Sequence, residues 1–175
     1  AVAAALGSLG VQRGDRVAVH VDKSPEALLT YLGCLRAGAV FLPLNPAYKA
    51  DEVAYFLGDA EPVVAIGRPD DRAWFERVAS DAGVRHVSQL SGDGTGPWAD
   101  LVAGCPSDPP DVVASGDDLA TIVYTSGTTG RSKGAMLTHA NLASNAAALQ
   151  QIWGFREDDV LIHALPIFHV HGLYV

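Results

Sequence analysis

The feature that most constrains this chain is an alternation of short apolar runs with helix signals over its first hundred residues. Residues 16–21 place Val17, Val19 and Val21 at every second position, the period of a strand. Ser24-Pro25-Glu26 follows with the marks of a helix start: a capping hydroxyl, proline at the first helical position and an acid in the first turn. Leu28, Tyr31, Leu32 and Leu35 then recur at helical spacing, and Gly38 supplies a stop. Residues 39–42 form a second apolar run, closed by Pro43, Asn45 and Pro46. A helix over 51–57 sets Val53, Phe56 and Leu57 on one face, with Gly58 after it. Residues 63–66 read as the next buried strand and 71–79 as the next helix. Strands separated by helices pair in parallel, so this order predicts an α/β fold with parallel sheets and flanking helices.

From 91 to 116 the pattern breaks. Gly92, Gly94, Gly96, Pro97, Gly104, Pro106, Pro109 and Pro110 crowd the stretch, which lacks a periodic apolar face. The expectation is a Gly/Pro/Asp-rich linker or excursion over 91–118, between a first α/β lobe (1–90) and a second lobe (119–175). Residues 119–124 resume as a nearly continuous apolar strand, as in the middle of a parallel sheet.

That strand runs into Thr125-Ser126-Gly127-Thr128-Thr129-Gly130-Arg131-Ser132-Lys133-Gly134, which holds three glycines, five hydroxyl residues, an arginine and a lysine. Thr138 can then cap a helix with Leu142, Ala146, Leu149 and Trp153 on its apolar face. The reading is strand, loop, helix. Glycines let backbone N–H groups approach a ligand, hydroxyls donate hydrogen bonds or ligate magnesium, and lysine is a point charge for phosphoryl oxygens. Composition sharpens the point. Twelve Lys and Arg stand against twenty Asp and Glu, a formal charge of −8, so the overall field cannot hold a polyanion and a local nest of donors must. The bland reading is a flexible turn. The loop is not the Walker pattern, because Lys133 is followed by Gly134.

The same acidity argues against a nucleic-acid partner and a polybasic membrane anchor. The longest stretch without Asp, Glu, Lys or Arg, 134–155, carries too many Thr, Asn and Gln residues for a membrane span. Residues 1–6 lack a basic n-region. Cys34 and Cys105 show neither CxxC nor metal-ligand spacing, which fits a reducing, cytoplasmic setting. The histidines His163, His169 and His171 could be read as a metal group, but no carboxylate or cysteine is spaced to complete it. Arg131 reads as solvated, and Tyr31, Tyr55 and Phe56 as core.

Residues 124–134, Tyr-Thr-Ser-Gly-Thr-Thr-Gly-x-x-Lys-Gly, resemble the signature loop of the adenylate-forming enzymes, which include acyl- and aryl-CoA synthetases, peptide-synthetase adenylation domains and luciferases. Arg36-Ala37-Gly38, followed by Pro43 and Pro46, resembles an upstream segment of that family. Leu165-Pro166-Ile167-Phe168-His169-Val170-His171-Gly172 resembles its L-P-x-F-H-x-x-G segment. Ser132 departs from the family, which most often has proline there; the loop loses rigidity but no ligand group.

The resemblance implies an acid–thiol ligase whose substrates are a small-molecule carboxylate, ATP and coenzyme A. Thr125, Ser126, Gly127, Thr128, Thr129, Gly130 and Lys133 would hold the β- and γ-phosphates, with Thr125 as the magnesium ligand. His169 would sit beside the carboxylate and orient it; its plain alternative is a packed core histidine. Within the family the local pattern is closest to synthetases of small dicarboxylates, malonyl-CoA synthetase first and oxalyl-CoA synthetase second. A medium- or long-chain fatty acyl-CoA synthetase is the alternative. The family is normally far longer, and its adenine-binding, ribose-binding and C-terminal lysine segments do not occur in this sequence. The expectation is therefore a truncated part of the large N-terminal domain, inactive alone. Two readings from other classes stand beside it: a P-loop phosphohydrolase, which lacks its Gly-Lys-Ser/Thr ending here, and a non-catalytic nucleotide-binding fragment.

Overall fold

The computed structural model describes residues 1–107, 112, 114–125 and 131–175. Strands β1 (Arg16–His20), β2 (Val40–Pro43), β3 (Val64–Gly67), β4 (His86–Gln89), β5 (Leu119–Thr125) and β6 (Lys133–Thr138) join one sheet in the order β4-β3-β1-β2-β5-β6. All neighbours are parallel except β5 and β6, which form an antiparallel pair. The helices are α1 (Val2–Ser8), α2 (Pro25–Arg36), α3 (Ala50–Ala60), α4 (Arg72–Asp81), α5 (Pro97–Ala103), α6 (His139–Trp153) and α7 (Val170–Tyr174). Strands from 1–90 and from 119–175 thus share one mostly parallel α/β sheet.

Strand side chains point alternately to two faces, and each face is covered. Val17, Val19, Val64 and Ile66 pack with Ala27, Tyr31 and Cys34 of α2 and Trp98 of α5. Ala18, Leu42 and Ala65 pack with Val53, Phe56 and Leu57 of α3 and Phe75 and Val78 of α4. Each buried Val, Leu, Ile or Phe side chain contributes about 1.5–3 kcal/mol by leaving water. The α2 start is built as its residues require. Ser24 accepts from the Ala27 N–H at 3.1 Å, Pro25 is the first helical residue and Gly38 takes a left-handed φ of +70° past the end.

Several elements differ from expectation. α3 does not stop at Gly58; it runs to Ala60 and ends at Glu61, itself at φ +47°. A helical glycine costs only about 1 kcal/mol, less than the last turn gains by burying Leu57 and Ala60. β4 lies at the sheet edge and is mostly half-buried, so His86-Val87-Ser88-Gln89 carries little apolar signal. α5 falls within the Gly/Pro-rich stretch, where one large side chain replaces a periodic stripe. Trp98 is 1% exposed and donates its indole N–H to Thr30 Oγ1 at 2.9 Å. β6 intervenes between the Gly/Ser/Thr stretch and α6, and pairing to β5 supplies what its own pattern lacks. Thr138 caps α6 as expected, accepting from the Asn141 N–H at 3.2 Å. The expected apolar face of α6 is not buried, however: Leu142 and Leu149 are half-buried, Ala146 and Trp153 exposed.

His20, at the end of β1, is fully buried and stacked on Phe75. Neither ring nitrogen has a hydrogen-bond partner among the described residues, and Nδ1 lies 3.8 Å from Asp71. Burial holds its pKa below the usual histidine value, with Asp71 opposing and Arg68 reinforcing.

Candidate functional site

β5 delivers Thr125 to the carboxyl end of the sheet, and β6 starts at Lys133, directly opposite Thr125 in the ladder. Glycine is required at position 134, because a Cβ there would come within 2.8 Å of the Ile122 side chain. The expected strand–loop–helix is therefore a hairpin followed by a helix, with Lys133 opening a strand instead of leading into the helix. Ser126, Gly127, Thr128, Thr129 and Gly130 lie outside the described residues.

A cavity of about 430 Å³ opens beyond the ends of β2 and β5. Pro43, Asn45, Tyr48, Val123, Tyr124, Thr125, Ser132, Phe168, His169 and Val170 line it. Crevices at the carboxyl ends of parallel strands are where open α/β sheets bind ligands. Two expected site residues far apart in sequence, Thr125 and His169, thus face one space. Lys133 is exposed and is not in the lining, although its neighbour Ser132 is.

His169 precedes α7, and its Nδ1 accepts the His171 N–H at 3.2 Å. A neutral ring with Nδ1 so occupied carries its proton on Nε2. The side chain is exposed to the cavity rather than packed in the core. Its segment is tied to the rest of the chain by Lys23 and by Thr121. Lys23 donates its ammonium to the carbonyls of His163 and, at 2.9 Å, Leu165. Tyr174 shares a 2.6 Å hydrogen bond with Thr121 Oγ1, which itself donates to the Phe41 carbonyl at 2.8 Å. Gly172 lies so close to Pro166 that an added Cβ would sit 2.0 Å from its carbonyl oxygen, which accounts for glycine there.

The other histidines do not join His169. His163 bonds the Gly172 carbonyl at 2.5 Å and lines a separate cavity with Lys23 and Leu28, while His171 is exposed. Among the described residues no three His, Cys, Asp or Glu side chains gather as a metal-binding group. Tyr31 and Phe56 are buried, but Tyr55 is only half-buried and donates its hydroxyl to the Ser132 carbonyl at 2.7 Å. Arg131 lies 5.7 Å over the Tyr55 ring rather than simply in solvent. Burial, helped by the Asp59 carboxylate, raises the Tyr124 phenol above its usual range. Tyr48 and Asp59 escaped the sequence reading, and Tyr55 reads there only as core, because no motif marks them.

The AMP-binding enzyme family matches the chain across residues 1–175. The chain belongs to the AMP-binding enzyme family. Among solved structures, ATP-bound MatB from Rhodopseudomonas palustris superposes with a TM-score of 0.94 at 51% identity, covering 99% of this chain and 34% of that one. A long-chain-fatty-acid-CoA ligase from Archaeoglobus fulgidus superposes with a TM-score of 0.88 at 31% identity, covering 98% of this chain and 34% of that one. Oxalate–CoA ligase of Arabidopsis thaliana is 34% identical over 175 residues, covering 96% of this chain and 33% of the relative. The chain spans about a third of the length of the relatives it matches. No helix among the described residues is long and apolar enough to cross a membrane.

Proposed function

We propose that the protein carrying this chain is an AMP-forming acyl-CoA synthetase acting in the cytoplasm. The observation that carries this reading is the shared cavity of Thr125 and His169, which sets the end of β5, where the Gly/Ser/Thr stretch begins, beside the L-P-x-F-H segment. The reaction has two displacements. A carboxylate oxygen attacks the α-phosphorus of ATP, the bond to the bridging oxygen breaks and pyrophosphate leaves. The coenzyme A thiol then attacks the acyl carbon, loses its proton and releases AMP. Both nucleophiles belong to substrates, so the protein's work is alignment and charge neutralisation.

Residues 125–130 and Lys133 are assigned to the β- and γ-phosphates. The donor set suits a polyanion. Hydroxyls from Thr125, Ser132 and Tyr48 and an amide from Asn45 face the cavity, and Lys133 lies opposite Thr125 in the ladder. Magnesium, a hard cation that takes oxygen ligands, would be held by the Thr125 hydroxyl together with phosphate oxygens, where it would offset the triphosphate charge. His169 is assigned to orienting the carboxylate, and an Nε2 proton would let it donate to an oxygen there.

A small dicarboxylate, malonate first, is the proposed acid. Support comes from the local resemblance around His169-Val170-His171-Gly172 and from the oxalate–CoA ligase relative. A long-chain fatty acid is the second reading, favoured by the long-chain ligase neighbour. ATP–pyrophosphate exchange by the full-length protein across malonate, methylmalonate, oxalate, acetate and fatty acids decides between them. Exchange strongest with malonate is expected. A preference for a long-chain monoacid would replace the dicarboxylate, and no exchange with any acid would sink the synthetase.

A further inference from the structure

Helix α3 grips both arms of the β5–β6 hairpin. Tyr55 and Asp59 are one turn apart on it and so share a face. On the outgoing arm, the Tyr124 hydroxyl donates to the Asp59 carboxylate, and the Tyr124 ring lies 4.5 Å from that of Phe56. On the returning arm, the Tyr55 hydroxyl donates to the Ser132 carbonyl at 2.7 Å, beneath the Arg131 guanidinium. The helix itself is fixed, because Val53, Leu57 and Ala60 are buried against the sheet and α4.

Folding alone does not call for these hydroxyl and carboxylate groups. Tyr55 is half-buried and Asp59 exposed, so phenylalanine at 55 would keep the ring contacts with Phe56 and Tyr124. What the polar atoms add is a tie to each end of the segment between Tyr124 and Ser132. Groups already held in place lose less conformational entropy when a ligand binds against them.

We propose that Tyr55 and Asp59 are positioning residues for ATP: from one face of α3 they hold Tyr124 and Ser132, which line the candidate cavity, in place. The inference rests on the ATP-dependent activity proposed above. It assigns α3, which contributes neither Tyr55 nor Asp59 to the cavity lining, a part in nucleotide affinity.

The test uses the full-length protein, with ATP, acid and coenzyme A varied separately, and adds amide exchange over residues 122–125 and 132–135. Tyr55→Phe and Asp59→Ala are each expected to raise KM for ATP by about 3–10-fold, the size of one lost hydrogen bond. KM for the acid and for coenzyme A should hold, Tm should barely move, and amide exchange on the affected arm should quicken. Asp59→Asn keeps an acceptor for Tyr124 and should restore KM for ATP to nearly the parent value. An unchanged KM for ATP overturns the proposal, as does a parallel rise in all three KM values with a falling Tm. A parent protein without exchange activity overturns the function and this role together; an active parent with unmoved KM for ATP overturns the role alone.

Discussion

Residues 1–103 and 119–175 are both rich in apolar side chains, yet they use them differently. In the first region β1, β2 and β3 are almost entirely buried, with helices on both faces. In the second, β5 contributes Ala120, Thr121 and Val123 to the interior, whereas β6 and α6 contain no buried residue. Trp153, Phe155, Val160, Leu161 and Ile162 are all exposed. Hydrophobic residues stabilise only where a second layer removes them from water. The second region instead takes its order from the first, through Lys23, Thr121's bond to Phe41, and the hold of α3 on the hairpin. Within this chain, a doubly covered sheet thereby presents the segments that carry the candidate chemistry.

The contrast can be broken most directly at Trp98 and Trp153. Trp98→Ala should cost about 3–5 kcal/mol in urea unfolding, through the cavity left and the lost bond to Thr30. A cost under about 1 kcal/mol would mean that the first region is not the stable one. Lys133→Ala tests the second region's chemistry. It should raise KM for ATP by about 10–100-fold, the loss of a charged contact, while leaving the unfolding midpoint unchanged. Equal ATP affinity in parent and variant would move the phosphate site elsewhere.

A pH series sharpens the scaffold side. Burial keeps His20 neutral in the fold, with Asp71 and Arg68 as its charged neighbours, while the unfolded chain takes up a proton near the ordinary value of 6.5. Stability should therefore fall as pH drops below that value, by at most about 1.4 kcal/mol per pH unit for one proton. His20→Gln should flatten the slope between pH 6.5 and the folded-state pKa. Asp71 adds a later loss. Burial raises its pKa, but the hydrogen bonds from Arg68 and Trp74 outweigh that and leave it below normal, so its contribution disappears only under more acid conditions. Trp153→Ser is the smallest effect, within about 0.5 kcal/mol. A loss comparable with that of Trp98→Ala would show that α6 is covered after all.

Legibility followed locality. The strand period at Val17, Val19 and Val21, the Ser24-Pro25 start and the Thr138 cap are short-range features, and each lies where the sequence places it. β4, α5 and β6 were not legible, because edge pairing, a single buried tryptophan and a hairpin ladder supply what their own patterns lack. At the candidate site, Thr125 and His169 stood out through flanking motifs. Tyr48 and Tyr55 did not: a hydroxyl that reaches a carbonyl 77 positions away leaves no trace at helical or strand spacing.

The sequence by itself determined the doubly covered parallel core, the family and the residue types offered to a polyanion, because periodicity, caps and a contiguous motif are properties of neighbouring residues. Only the tertiary structure decided that Lys133 opens a strand facing Thr125, that His169 shares a cavity with that threonine, and that α3 holds both arms of the hairpin. Those facts depend on segments distant in the chain, which are brought together by burying their sheet and helix faces and by no pattern within any one of them.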